Sequence, residues 1–155
     1  MRPNAFPRAR RLKRRRLLRP LFDRARPDVG RVRVGTVALL YRAVLRSDTG
    51  EDTPFQVCFA PGRAARGAGR VRLRRVMRET FRLHQHGLLD AFADRPDCLT
   101  LVVLFRGRTA TADRDLARDL PDALRRLAAR TVPPAEDTSP TGPQTAGRNV
   151  GDGAS

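Results

Sequence analysis

The chain has 155 residues, with 32 Lys+Arg against 16 Asp+Glu and a formal net charge of +16. That length suits one domain with tails. An excess of cations this large exceeds what solubility needs and points to a polyanionic partner. The longest apolar runs, 37–41 and 99–105, fall far short of the ~20 residues a spanning helix requires, so a membrane is a poor candidate for that partner. Lys13 is the only lysine. Arginine grips phosphate through a planar fork and stacks on bases, although a GC-rich genome would also favour its codons.

In chain order, residues 1–9 form an extended basic arm containing Pro3 and Pro7. Residues 10–24 read as a helix with an apolar stripe of Leu12, Leu17, Leu18, Leu21 and Phe22, and Pro20 marks a kink or an early stop. Residues 33–45 read as one strand, bent near Gly35. A turn-rich loop covers 46–54, a second strand runs over 55–59 and ends at Pro61-Gly62, and 63–69 are a small-residue basic connection.

Residues 70–86 carry the strongest helical pattern. At 100° per residue, Leu73, Val76, Met77, Thr80, Phe81, Leu83 and His84 share one side, and Arg72, Arg74, Arg75, Arg78 and Arg82 share the other. Gly87 is the expected stop. Residues 98–105 are almost wholly apolar and read as a strand buried on both faces. Residues 112–130 place Leu116, Leu120, Ala123, Leu124 and Leu127 at helical spacing, with Pro121 either opening a fresh helix or kinking a single one. From 131 onward apolar residues nearly vanish, and a disordered tail is expected. The expected fold class is α+β, an α/β sandwich of one small sheet with helices, in the order α-β-β-α-β-α. The domain spans 10–130, between the arm (1–9) and the tail (131–155).

The bland reading of 70–82 is a solvated charged face. Against it, Arg70, Arg72, Arg74, Arg75, Arg78 and Arg82 have only Glu79 among them. Like charges at i,i+4, as in Arg74-Arg78-Arg82, destabilise a bare helix, and phosphates would relieve the repulsion. Arg63, Arg66, Arg8, Arg11 and Lys13 extend this candidate nucleic-acid-binding set.

At this segment the chain resembles the bacterial ribonuclease P protein component. The family's hallmark is an Arg-Asn-Arg core, an aliphatic residue, two basic residues and an Arg-Glu-x-Phe-Arg ending. Here it reads Arg70-Val71-Arg72-Leu73-Arg74-Arg75 and then Arg78-Glu79-Thr80-Phe81-Arg82. The following Leu83-His84-Gln85-His86 is similar to members of the Bacteroidetes-like branch. Phe6-Pro7-Arg8 with Arg11-Leu12-Lys13 resembles the family's opening, and Leu21-Phe22 matches the pair closing its first helix. The departures are Val71 at the motif's Asn, Ala60-Pro61-Gly62 where the family has Ser-Lys-Lys/Arg, and Leu17 at the first-helix Phe.

The resemblance implies the family's sandwich, with a left-handed crossover setting the basic helix against the sheet. It implies a protein that is not itself the catalyst. The RNA subunit would remove the 5′ leader of precursor tRNA using magnesium, and the protein would bind that RNA through the basic helix. The leader would lie in a cleft between the sheet and the first helix, with Leu17, Tyr41, Phe55 and Phe59 as candidate lining residues. The aromatic three would stack on bases there or, as the commoner alternative, fill the core. The implied setting is cytoplasmic, and the chain monomeric apart from RNA.

The residues agree with that division of labour. A protein nuclease would need carboxylates or histidines converging on a metal or water, and no such constellation is visible. No cofactor is expected on the protein alone, and no catalytic or metal-binding residue is assigned. Cys58 and Cys98 read as buried small hydrophobes, and with His84 and His86 they lack zinc-ligand spacing. No secretory signal is visible, and the Arg-rich start, which could mimic a transit peptide, fits the family's opening instead. The alternative is a general RNA-binding or ribosome-associated basic protein with no role in catalysis.

Overall fold

The computed structural model describes residues 6–63 and 65–131. Residues 1–5 of the expected arm and the expected tail beyond Thr131 lie outside the described residues. The fold is α+β: one mixed four-stranded sheet with several helices. The strands are β1 (Gly30–Val34), β2 (Val37–Leu45), β3 (Phe55–Ala60) and β4 (Asp97–Phe105). The helices are α1 (Arg15–Leu18), α2 (Arg46–Thr49), α3 (Gly67–His84), α4 (His86–Phe92) and α5 (Ala112–Thr131).

The order across the sheet is β1-β2-β4-β3. β2 is antiparallel to β1 and β4, and β3 runs parallel to β4. Parallel neighbours need a crossover, and α3 with α4 supplies it. The apolar run of β4 sits between two neighbours with almost every side chain buried, as a strand covered on both faces requires.

Alternation divides the core in two. One face carries Val37, Leu39, Phe55, Val57, Phe59, Leu99, Leu101, Val103 and Phe105, and α3, α4 and α5 cover it with Leu73, Met77, Phe81, Leu88, Phe92, Leu116 and Leu120. The far face carries Leu40, Val44, Cys98 and Val102 under Leu12, Leu17 and Leu21. Only the short α1 and its flanking turns lie over it.

Several sequence expectations are corrected. The single strand over 33–45 is a β1–β2 hairpin. Its turn uses Gly35 at φ +54, where a methyl group would sit 2.4 Å from Asp119 Oδ2. That carboxylate accepts from Thr36 N at 2.9 Å and Thr36 Oγ1 at 2.8 Å, fastening the turn to α5. The helix over 10–24 is broken into a 3-10 turn at Arg8–Arg10, α1, and a second 3-10 turn at Arg19–Phe22. Between them Arg11 forms a parallel bridge with Val57, and Leu12 N donates to Val57 O at 3.0 Å. The backbone there completes the outer edge of β3 and cannot also be helical. Phe6, expected on a surface arm, is buried edge-on to Phe59 and Phe81.

The loop after β2 opens with the one-turn α2. Helix α3 ends at Gln85, whose carbonyl accepts from Leu88 N and Leu89 N and starts α4. Gly87 lies inside α4 and stops nothing. Leu83 is 57% exposed, and exposed His84 lines an open hollow with Leu88, Pro121 and Leu124 instead of packing into the core. Pro121 lies within one continuous α5, so no fresh helix begins there.

Candidate nucleic-acid interface

Helix α3 turns Leu73, Met77 and Phe81 into the core, which fixes where its arginines point. Arg72 and Arg75 are exposed; Arg70, Arg74, Arg78 and Arg82 are half-buried. The arm, which in the structure continues through Arg11–Lys13 along the edge of β3, lies alongside this face. Burial, with the neighbouring guanidiniums of Arg11, Arg74 and Arg75, holds the Arg78 pKa below its ordinary value. Arm and helix therefore form one cationic surface, although they are far apart in sequence.

The candidate residues divide by what they already hold. Arg72 forms an ion pair with Asp113 at 3.0 Å, and Arg82 pairs with Glu79. Arg70 donates to Gly62 O at 2.7 Å and Arg74 to Phe59 O at 3.3 Å, so both are braced on backbone and keep their charge uncompensated. Among the described residues, Arg8, Arg11, Lys13, Arg63, Arg66, Arg74, Arg75 and Arg78 have no carboxylate within salt-bridge distance. Val71 is 56% exposed within the same face.

The proposed cleft residues do not come together. Leu17 is buried on the far face, whereas Phe55 and Phe59 are buried on the helix face. Phe55, Phe59 and Phe6 stack edge-on against Phe81. Tyr41 packs half-buried against that same core, over Gly30. Rings enclosed by the core offer no face to a base, so Phe55 and Phe59 are structural.

The far face instead holds a basic hollow that sequence reasoning missed. Arg31 pairs in register with Leu40 and Arg33 with Ala38, which places both arginines on that face. With Arg24 and Arg106 they line a cavity of about 280 Å³. An adjoining hollow of about 430 Å³ shares Arg106 and includes Arg63, Gly62 and Leu104. Phe22, two residues before Arg24, is 53% exposed. Period-2 spacing of Arg31 and Arg33 was the available signal, and reading 33–45 as one strand hid it.

Among the described residues no group of three or more His, Cys, Asp or Glu is placed to hold a metal ion. His84 Nδ1 lies 2.9 Å from Thr80 O. Cys58 and Cys98 are free thiols, and burial raises both, Cys98 up to about 12. Among the described residues no helix is long and apolar enough to cross a membrane. No protein-family model matches the chain, and neither a curated protein nor a solved structure does.

Proposed function

We propose that the chain is the protein subunit of a ribonuclease P. It binds the catalytic RNA and the precursor-tRNA leader and assists RNA-catalysed removal of that leader in the cytoplasm. One observation carries the reading: the arm and α3 build a single surface on which Arg11, Arg74, Arg75 and Arg78 lie close without a carboxylate partner. Such a surface is suited to phosphates, whose counterions it would displace. The mixed sheet with helices and the parallel β3–β4 pair are compatible with an α/β sandwich of the kind that the resemblance implies. Chemistry would stay with the RNA and its magnesium ions.

In this reading the leader lies on the far sheet face. Phe22 offers a ring for stacking, and Arg24, Arg31, Arg33 and Arg106 offer charge. These replace Tyr41, Phe55 and Phe59 as the cleft candidates.

The test is reconstitution with the RNA subunit of the same organism, scoring precursor cleavage at physiological magnesium. Stimulation of cleavage is the expected result, and no stimulation overturns the proposal. A second reading, a general RNA-binding protein without a catalytic partner, is favoured by Val71 at the motif's Asn, since an apolar side chain cannot replace an amide's hydrogen bonds. Co-purification with ribosomal particles instead of one large structured RNA would support it.

A further inference from the structure

The arm crosses β3 over a small cavity of about 250 Å³, lined by Arg8, Arg11, Lys13, Arg14, Glu51 and Gln56. Gln56 is only 5% exposed. Its Nε2 donates to Ala9 O at 2.9 Å, which orients the amide. The other amide atom, Oε1, has no hydrogen-bond partner among the described residues. A buried acceptor left unpaired is costly, and four cations with one carboxylate leave the cavity electropositive. An occupant must therefore bring an anion and, beside it, a hydrogen-bond donor.

We infer that this cavity is a ribonucleotide pocket: the 2′-hydroxyl donates to Gln56 Oε1 and the adjacent phosphate sits among Arg8, Arg11, Lys13 and Arg14. A ribose carries a donor next to its phosphate; a deoxyribose does not. The volume lies below the roughly 300–1,000 Å³ of sites that take a whole small molecule, which suits one sugar-phosphate unit of a longer strand. The inference rests on the RNA-binding part of the proposed function and adds to it a means of telling RNA from DNA.

The experiment compares the full-length chain's affinity for a short single-stranded oligouridylate with that for its 2′-fluoro counterpart, which keeps the charge and removes the donor. The all-ribose strand should bind roughly three- to tenfold tighter, the range of one net hydrogen bond. Gln56→Met should bring that ratio to about one while leaving the salt dependence unchanged. Equal affinity of the unaltered chain for both strands overturns the inference, as does a ratio that survives in Gln56→Met. Should that variant not fold, the side-chain amide resonances of Gln56 in the unaltered chain decide: they should move with the ribose strand and not with the fluoro strand. Polyglutamate competing as well as RNA would make the site one for acidic peptide and equally overturn it.

Where cleavage is stimulated, placing the fluoro sugars first in a precursor leader and then in the catalytic RNA identifies which strand fills the pocket, and a loss in neither then overturns it. If the ribose preference holds but cleavage is not stimulated, the pocket stands and the ribonuclease P reading falls. The opposite result removes only the pocket.

Discussion

Helices α3 and α5 both carry many arginines, yet their charges are treated differently. On α5, Arg114 lies 3.9 Å and Arg118 3.3 Å from Asp115, Arg118 also reaches Asp119 at 2.8 Å, and Arg125 pairs with Asp122. On α3 the only acid is Glu79, and it serves Arg82. Arg74 and Arg78 stand one turn apart with Arg11 of the arm beside them. A helix that had only to be soluble could interleave carboxylates as α5 does and gain a few tenths of a kcal/mol per pair. The lesson is that pairing, more than arginine content, separates a structural basic helix from one awaiting an external anion.

The largest effect should come from the core that holds α3 in place. Phe81 is fully buried and meets three other phenyl rings. Phe81→Ala should cost ~3–5 kcal/mol in urea unfolding, and its RNA binding should weaken only as far as the unfolded fraction grows. Normal stability in that variant would mean that α3 is not anchored as described.

Asp119→Ala comes next and probes the anchoring of α5. Asp119 is 4% exposed, and its loss leaves two Thr36 donors unpaired, a cost of ~1–3 kcal/mol. The Arg118 guanidinium, with the Thr36 donors, holds the Asp119 carboxyl well below the usual carboxylate range. The unfolded group titrates near ~4. The stabilisation is therefore complete above that pH and is lost as pH falls below it toward the folded value. Thermal melts of variant and parent should differ at neutral pH and converge in acid. A gap independent of pH would refute this account. RNA affinity at neutral pH should stay near that of the parent.

Much of this architecture was legible in the sequence. The helix expected over 70–86, which ends at His84, and the final helix declare themselves through periodicity, because each buries one apolar side, and the doubly buried strand does so through its unbroken apolar run. What stayed hidden depended on distant partners. Gly35 reads as a bend until Asp119, far along the chain on α5, is seen filling the space where its side chain would be. Residues 11–13 have helical composition, but pairing with Val57 outweighs that local preference. Phe6 looks like part of an arm because the aromatic cluster that receives it comes from β3 and α3. Within the site, the arginines of α3 could be read from their spacing. Their division into paired Arg72 and unpaired Arg74 could not, since Asp113 lies 41 residues away. The basic hollow on the far face and the unpaired amide of Gln56 likewise need three-dimensional neighbours to be seen.

The comparison of the two helices is sharpest with two double variants that change net charge equally. Arg74→Ala with Arg78→Ala removes two cations from the unpaired face. Neither side chain lies in the core, and the bond from Arg74 to Phe59 O can pass to water. Stability should therefore stay the same or rise slightly as the mutual repulsion is relieved. RNA affinity should fall, and the slope of log affinity against log salt should shrink by roughly 0.7–0.9 for each phosphate that is no longer neutralised. Arg114→Ala with Arg125→Ala removes two cations from α5, each beside an acid. The exposed Arg125–Asp122 pair contributes ~0–1 kcal/mol, and buried Asp115 keeps Arg118 and the Thr111 hydroxyl when Arg114 is lost, so the melt should move little. If binding follows local unpaired charge, the α5 variant should keep the parent's affinity and salt slope. If it follows net charge alone, both variants should lose equally, because long-range attraction counts every cation. Salt titrations of the two variants against one RNA separate these outcomes. An equal loss would mean that the contrast between α3 and α5 has no bearing on where RNA binds.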